Sequence, residues 1–303
     1  MIRARSLGRE GRKRRTSEKG GFERRPAPML RIGIHTSIAS SLASAAEKAA
    51  ALGCNTFQIF SASPRMWRGS KLDPAEVRLF REAREKHDLF PLVIHDNYLI
   101  NLPSADPVVR ERSIEAFRAE MQRAMALGAE HLVAHPGSYR GQTPEQAIQV
   151  FAGALAAAAR GLRCDGLSVL IENTAGGGCA LGSEPAELLE LRRLASERVD
   201  FPIGFCIDTA HCFAAGLDFF AVLQAVGLEA VQVIHCNDSR SGFGSRLDRH
   251  EHIGKGGIGL EGFRRILSDR RLRRKAFILE TPVEKPGDDR RNVRVLKALA
   301  KTR

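Results

Sequence analysis

The feature that most constrains this chain is a rhythm of eight short apolar runs, each followed by a longer stretch with helical periodicity. The runs are Leu30–His35, Thr56–Phe60, Leu92–His95, Leu132–His135, Ser168–Glu172, Ile203–Asp208, Val231–His235 and Phe277–Glu280. They are rich in Val, Ile, Leu and Phe without polar alternation, the pattern of strands covered on both faces. Amphipathic spacing fills the stretches near 40–52, 74–87, 107–127, 144–162, 184–197, 218–226, 260–269 and 289–301. Asp73-Pro74 and Thr143-Pro144 each set an N-cap residue before a proline at the first helical position, so two of these starts are fixed locally. Repeated strand–helix units give a parallel sheet. Eight of them predict an α/β chain forming a single (β/α)8 TIM barrel over 29–303. The glycine spacing of an open nucleotide-binding sheet is missing, since Gly176-Gly177-Gly178 matches neither GxGxxG nor a Walker loop.

Seven of the eight runs finish on an imidazole or a carboxylate: His35, His95, His135, Glu172, Asp208, His235 and Glu280. In a parallel barrel all C-terminal strand ends lie on one face, where barrel active sites are built. Burying that many such groups together is costly unless something pairs with them, so a metal cluster is the economical expectation. The loops add more candidates. His211 follows Asp208 by one helical turn, and Asp248-Arg249-His250 has the i, i+2 spacing that aims two side chains the same way in an extended segment. With His35 set aside, the donors are His95, His135, His211, His235 and His250 with Asp208, Asp248, Glu172 and Glu280. Imidazole and carboxylate without thiolate suit catalytic Zn2+, with Mn2+ as a substitute.

Taken singly, each of these histidines is more often a satisfied core group; the seven coincident strand ends reverse that reading. His35 and His252 are expected beside the cluster as hydrogen-bond partners of the ligands. His87, near a helix end, is expected in solvent, and His131, which opens a strand, toward the opposite rim. Cys206, Cys212 and Cys236 read as packing. No Ser-His-Asp or Cys-His set stands out, which fits a nucleophile supplied by metal chemistry.

Composition narrows the class further. The apolar fraction is 43%, enough for a large core. No apolar run approaches the roughly 18 residues of a membrane span, so no membrane role is expected. Residues 1–28 hold ten basic against three acidic residues and account for +7 of the +12 net charge. With Arg12-Lys13-Arg14-Arg15, Pro26 and Pro28 and no apolar periodicity, this segment reads as a disordered basic extension, or as an over-extended start ahead of Met29. It lacks the apolar stretch of a secretory signal. Six cysteines without a CxxC pair fit free thiols in a reducing cytoplasm.

Seven ordered segments resemble the endonuclease IV family of apurinic/apyrimidinic endonucleases, in the xylose-isomerase-like TIM barrel superfamily. They are Ile94-His95-Asp96-Asn97-Tyr98-Leu99-Ile100-Asn101-Leu102, Ala134-His135-Pro136-Gly137-Ser138, Ile171-Glu172-Asn173-Thr174-Ala175-Gly176, and Cys206-Ile207-Asp208-Thr209-Ala210-His211-Cys212-Phe213-Ala214-Ala215-Gly216. His235-Cys236-Asn237-Asp238-Ser239, Gly244-Ser245-Arg246-Leu247-Asp248-Arg249-His250 and Leu279-Glu280-Thr281 complete them, and the resemblance spans about 29–301. It implies three zinc ions: one on His95, His135 and a bridging Glu172; one on Glu172, Asp208, His235 and Glu280; one on His211, Asp248 and His250.

The resemblance further implies double-stranded DNA containing abasic sites as substrate, cut 5′ to the lesion, with removal of blocking groups from 3′ ends. Glu172 would orient the attacking water. Arg65, Tyr98, Arg246 and Arg249 would meet DNA from the rim loops, and no obligate protein partner is implied, so a monomer is expected. Two loops depart from the family pattern: Thr36-Ser37-Ile38-Ala39-Ser40-Ser41 replaces a glycine-rich turn, and Ser63-Pro64 stands where other polar side chains are common. Three competing expectations exist. A xylose-isomerase-like sugar isomerase or epimerase would need one or two divalent metals and leave His211, Asp248 and His250 without a role. A non-catalytic DNA-binding protein would use the basic segment alone. A repair nuclease of the same fold would act on ultraviolet photoproducts.

Overall fold

The computed structural model describes residues 30–301. The basic segment expected over 1–28 lies outside the described residues. Eight parallel strands form one sheet: β1 (Arg31–Ile34), β2 (Phe57–Phe60), β3 (Leu92–His95), β4 (His131–Ala134), β5 (Ser168–Glu172), β6 (Ile203–Asp208), β7 (Val231–His235) and, last in the chain, β10 (Ala276–Leu279). Their spatial order is β1-β10-β7-β6-β5-β4-β3-β2. The remaining seam, β1 to β2, closes through a parallel bridge between His35 and Gln58, with Thr36 N donating to Gln58 O at 2.8 Å. Asn55 fastens the same seam by accepting from Ile32 N at 2.8 Å. Glycine is required there: a Cβ on Gly33 would stand 2.1 Å from the carbonyl oxygen of Thr56.

Helices α1 (Leu42–Ala51), α2 (Pro74–Lys86), α3 (Pro107–Leu127), α4 (Pro144–Ala159), α5 (Pro185–Ser196), α7 (Phe219–Val226), α8 (Gly259–Ser268) and α9 (Asp288–Lys301) match the eight amphipathic stretches. Asp73 caps α2 by accepting from Ala75 N, and Thr143 with Gln146 forms a capping box on α4. Two pieces lie outside the eight-unit scheme. Helix α6 (Thr209–Ala215) follows β6 directly, capped by Asp208 and ended by Gly216 in the left-handed region. A two-residue antiparallel ladder pairs β8 (Asp238–Ser239) with β9 (His250–Glu251). Among the described residues no single helix is long and apolar enough to cross a membrane. The six cysteines are free thiols.

The core has two layers. The outer cluster joins alternate strand residues such as Ile94, Ile171, Ile207, Ile234 and Phe277 to the buried faces of the helices. The barrel interior holds a smaller cluster: Val93, Val133, Leu170, Cys206, Val233, Ala276 and Ile278. Side chains two apart on a strand point to the same face. Two residues beyond Val93, Val133, Leu170, Cys206, Val233 and Ile278 come His95, His135, Glu172, Asp208, His235 and Glu280. The register that fills the interior therefore also aims six of the nine candidate donors inward at the upper end.

Candidate metal centre

Glu172 stands at the middle of this end, 1% exposed. One of its oxygens, Oε2, lies 3.0 Å from His95 Nε2 and 3.5 Å from His135 Nε2; the other, Oε1, lies 2.9 Å from His235 Nδ1. His235 Nδ1 is also 3.2 Å from Glu280 Oε2 and 3.9 Å from Asp208 Oδ2. On the third side Asp248 spans two rings, with Oδ2 3.2 Å from His211 Nε2 and Oδ1 3.4 Å from His250 Nε2. Asp208 Oδ2 lies 3.5 Å from the same His250 nitrogen. The structure thus gathers all nine candidate donors. Four groups have donor atoms within 4.8 Å of one another: His95/His135/Glu172, Glu172/Asp208/His235/Glu280, Asp208/His211/His250, with Asp208 in the place expected for Asp248, and Glu172/Cys206/His235, which brings in a thiol read from sequence as packing. His95, His135, Glu172, His211, Asp248, His250 and Glu280 line a cleft of about 490 Å3, with Asp208 and His235 buried behind them.

Four rings are oriented by a bond on the nitrogen that faces away. His95, His211 and His250 donate Nδ1–H to the carbonyls of Asp96 (2.9 Å), Asn173 (2.8 Å) and Glu280 (3.2 Å). His235 donates Nε2–H to Gln58 Oε1 at 2.9 Å. Each ring thereby presents its opposite nitrogen to the carboxylates of the centre, the orientation a metal would need once that nitrogen gives up its proton.

Charge balance points to cations. Burial should raise the Glu172 carboxyl, yet the charges of His235 and His135 and hydrogen bonds from His235 and His95 hold it well below the usual range. Glu280 is likewise lowered against burial, by His235 and a hydrogen bond from His35. Burial should lower His211, but Asp208, a hydrogen bond to Asp248 and Glu172 lift it well above normal. His95 is lifted the same way by Asp96 and Glu172. The carboxylates are held ionised by the imidazoles that surround them. His250 Nε2 is one of four buried side-chain atoms without a hydrogen-bond partner among the described residues, and the one of them that belongs to the nine donors. The donor set and this orphaned nitrogen fit divalent cations.

The comparisons with known proteins agree with this geometry. A family profile described as a xylose isomerase-like TIM barrel matches residues 46–299. The probable endonuclease 4 of Solibacter usitatus is 56% identical over 281 residues, 89% of this chain and 97% of that one. The crystal structure of endonuclease IV from Thermus thermophilus superposes with a TM-score of 0.78 at 43% identity, covering 89% of this chain and 98% of the other. The chain belongs to the endonuclease IV family. It is an enzyme of that type, with a TIM barrel and clustered metal-binding residues. A D-tagatose 3-epimerase-like protein, at 21% identity and a TM-score of 0.66 over 88% of this chain and 96% of that one, shares the fold alone.

Around the centre of this endonuclease IV-type barrel, Tyr98 and Arg249 border the cleft itself. Arg65 and Arg246 are exposed on neighbouring loops. Arg246 is held with φ +56° while its N–H donates to Ala214 O at 2.8 Å. His35 lies 3.3 Å from Glu280 Oε1, beside the candidate donors. His252 does not: its ring accepts from Asn292 Nδ2 at 3.0 Å and stands 3.8 Å from Asp288, beneath α9. His87, expected in solvent, pairs with Glu47 at 2.8 Å.

Sequence reasoning missed the amides. Gln58 holds His235 and donates to Glu280 Oε1 at 2.5 Å. Asn237 Nδ2 donates to Asp208 Oδ2 at 2.7 Å while its Oδ1 accepts from Glu280 N at 2.7 Å. Asn173 Oδ1 accepts from Asp208 N at 2.6 Å. One signal was available: Gln58 is a lone polar residue inside an apolar run, where a covered strand has no solvent to meet.

Proposed function

We propose that the chain hydrolyses the phosphodiester 5′ to abasic sites in double-stranded DNA, leaving a 3′-hydroxyl and a 5′-deoxyribose phosphate, and also clears blocked 3′ ends. The single observation that carries this reading is that eight donors converge as adjoining groups, with Asp248 bridging His211 and His250 beside them, at a cleft with a basic and aromatic rim. Zinc would sit on His95, His135 and Glu172, on Glu172, Asp208, His235 and Glu280, and on His211, Asp248 and His250, with Mn2+ as a substitute. When bound, such ions make hydroxide available near neutral pH and offset charge on phosphorus and on the leaving oxygen.

The protein's own part is positional. Glu172, with one oxygen toward His95 and His135 and the other toward His235, orients the attacking water. Gln58, Asn173 and Asn237 fix the ring and carboxylate positions from behind. Tyr98, Arg249, Arg246 and Arg65 hold the opened duplex, a cheaper distortion where a base is missing and less stacking is lost. The sugar-epimerase alternative gives the His211/Asp248/His250 group nothing to do.

Zinc analysis beside a nicking assay on an abasic duplex tests the reading, on the full chain and on one starting at Met29. About three zinc per chain with incision 5′ to the lesion is expected. One or two metals, no incision and turnover of a ketose would replace it with the epimerase.

A further inference from the structure

Six of the nine donors are placed by the barrel strands and His211 by α6, but Asp248 and His250 have no such support. They lie on an excursion that leaves β8, turns through 240–249 and returns as β9, and the ladder joining those strands is two residues long. A hairpin that short does not hold its shape unaided. The chain after β9 is looser still. Gly254-Lys255-Gly256-Gly257-Ile258-Gly259 has four glycines in six residues, and glycine has more backbone freedom to lose than any other residue. Two buried side chains outside the nine donors close this excursion.

Asp238, fully buried, accepts from five backbone N–H groups: Ser239 and Ile258 at 2.9 Å and Gly259 at 3.4 Å on Oδ1, Gly254 at 2.9 Å and Gly256 at 3.0 Å on Oδ2. Its carboxylate thereby caps α8, where Ile258 stands in the cap position and offers no side-chain bond. A glycine-rich turn leading into a helix elsewhere cradles a phosphate. Here the protein's own carboxylate fills that turn, and a Cβ on Gly256 would stand 2.6 Å from Asp238 Oδ1. Asn292, on α9 and buried, makes the second closure. Its Oδ1 accepts from Ile253 N at 3.1 Å and its Nδ2 donates to Thr281 Oγ1 at 2.9 Å. The segment just after His250 is thus tied to the residue after Glu280, beside the 3.2 Å bond from His250 Nδ1 to Glu280 O. The tip of the excursion docks on α6, with Gly244 N donating to Phe213 O at 3.0 Å, so the closure also sets Asp248 and His250 against His211.

We infer that Asp238 and Asn292 are positioning residues for the cation assigned above to His211, Asp248 and His250, and that they set the affinity of that group alone by closing the excursion that carries two of its ligands. The inference rests on the three-zinc reading above. Zinc analysis of the full chain at controlled free Zn2+ tests it, beside amide hydrogen exchange and nicking. In D238N the new amide offers one acceptor oxygen and turns its own N–H groups toward those of the turn. Exchange at 254–259 should quicken, and affinity for one zinc should fall about 10- to 100-fold, the scale for a partner that orients a ligand. At limiting free Zn2+ the variant then holds about one zinc fewer than the wild type, with kcat down about 10- to 100-fold and KM within about twofold, and excess Zn2+ restores both losses. N292A should behave the same way and carries the test if D238N does not fold. The control is D218N, which removes the cap that Asp218 places on Ala221 N at the start of α7; it should lose stability and keep all its zinc. Full zinc at limiting Zn2+ in folded D238N or N292A, beside a wild type that binds three and nicks, would overturn the inference and spare the nuclease reading. Equal zinc loss in D218N would overturn it too, since any weakening of the fold would then suffice. A wild type that binds fewer than three zinc would overturn both.

Discussion

The two mouths of the barrel hold cavities of similar size and opposite chemistry. The lower cavity, about 530 Å3, is lined by Arg31, Glu130, His131 and Ser168 among others. Its polar groups are settled pairwise: Arg31 with Asp88 at 2.8 Å, Glu130 with Arg84 at 2.9 Å, His131 Nδ1 with Ser168 Oγ at 2.6 Å. Burial alone pushes His131 down to about 4, so its ring is neutral. At the upper mouth His95 and His211 are lifted against burial by the carboxylates that converge on them, while burial prevails at His135 and His35. Burial discharges an isolated histidine, and converging carboxylates oppose that effect to a different extent at each grouped one. Only the upper mouth brings several donors within reach of one ion, and variants that distinguish the two mouths test that claim.

The largest effect should follow removal of the cations. A chelator is expected to abolish nicking and lower Tm by roughly 10 °C, since ligands of the folded state contribute several kcal/mol and a chain of this size shifts a few degrees per kcal/mol. Added Zn2+ should restore both, as calorimetry and nicking before and after would show. A chelator that leaves Tm unchanged would mean that the upper mouth is settled by protons, like the lower one.

Next comes Glu172→Gln. Losing the carboxylate that four imidazoles approach should reduce kcat roughly 100- to 1000-fold, the scale for deleting one preorganised charge from a catalytic set. His250→Asn, at the edge, should cost about 10- to 100-fold and one zinc per chain, with circular dichroism unchanged. Metal analysis separates the two variants from each other and from general unfolding. An H250N protein that keeps its full zinc content would remove His250 from the centre.

The upper mouth was legible because its signal is doubled: each of His95, His135, Glu172, Asp208, His235 and Glu280 is chemically distinctive and sits at an apolar strand's end. The parity that filled the interior with Val93, Val133 and Leu170 then delivered them to one place. Gln58, Asn173 and Asn237 share that place without the distinctiveness, since an amide near a strand end reads as an ordinary turn residue. Helix α6 was hidden because Asp208 serves as both cap and candidate ligand, so its short stretch read as a loop after a strand. The ladder that brings Asp248 and His250 inward spans two residues per strand, too few for periodicity to show. His252 misled for a related reason: its closeness in sequence to His250 said nothing about α9, whose Asn292 claims its ring.

The smallest expected effect lies at the lower mouth. His131→Gln keeps a polar group near Ser168 but removes the titration, so metal content and nicking should be unchanged. Its consequence is confined to stability in acid. The folded-state value of about 4 lies below the ordinary value of 6.5, so between these limits the unfolded chain binds a proton that the folded chain refuses. Stability from this residue is complete above about 6.5 and is lost as pH falls toward 4. Between pH 7.5 and 4.5, Tm of the wild type should therefore fall a few degrees further than that of H131Q, measured with metal content held constant. Equal slopes would mean that His131 is solvated, and that the lower mouth differs from the upper one in its residues but not in its dielectric.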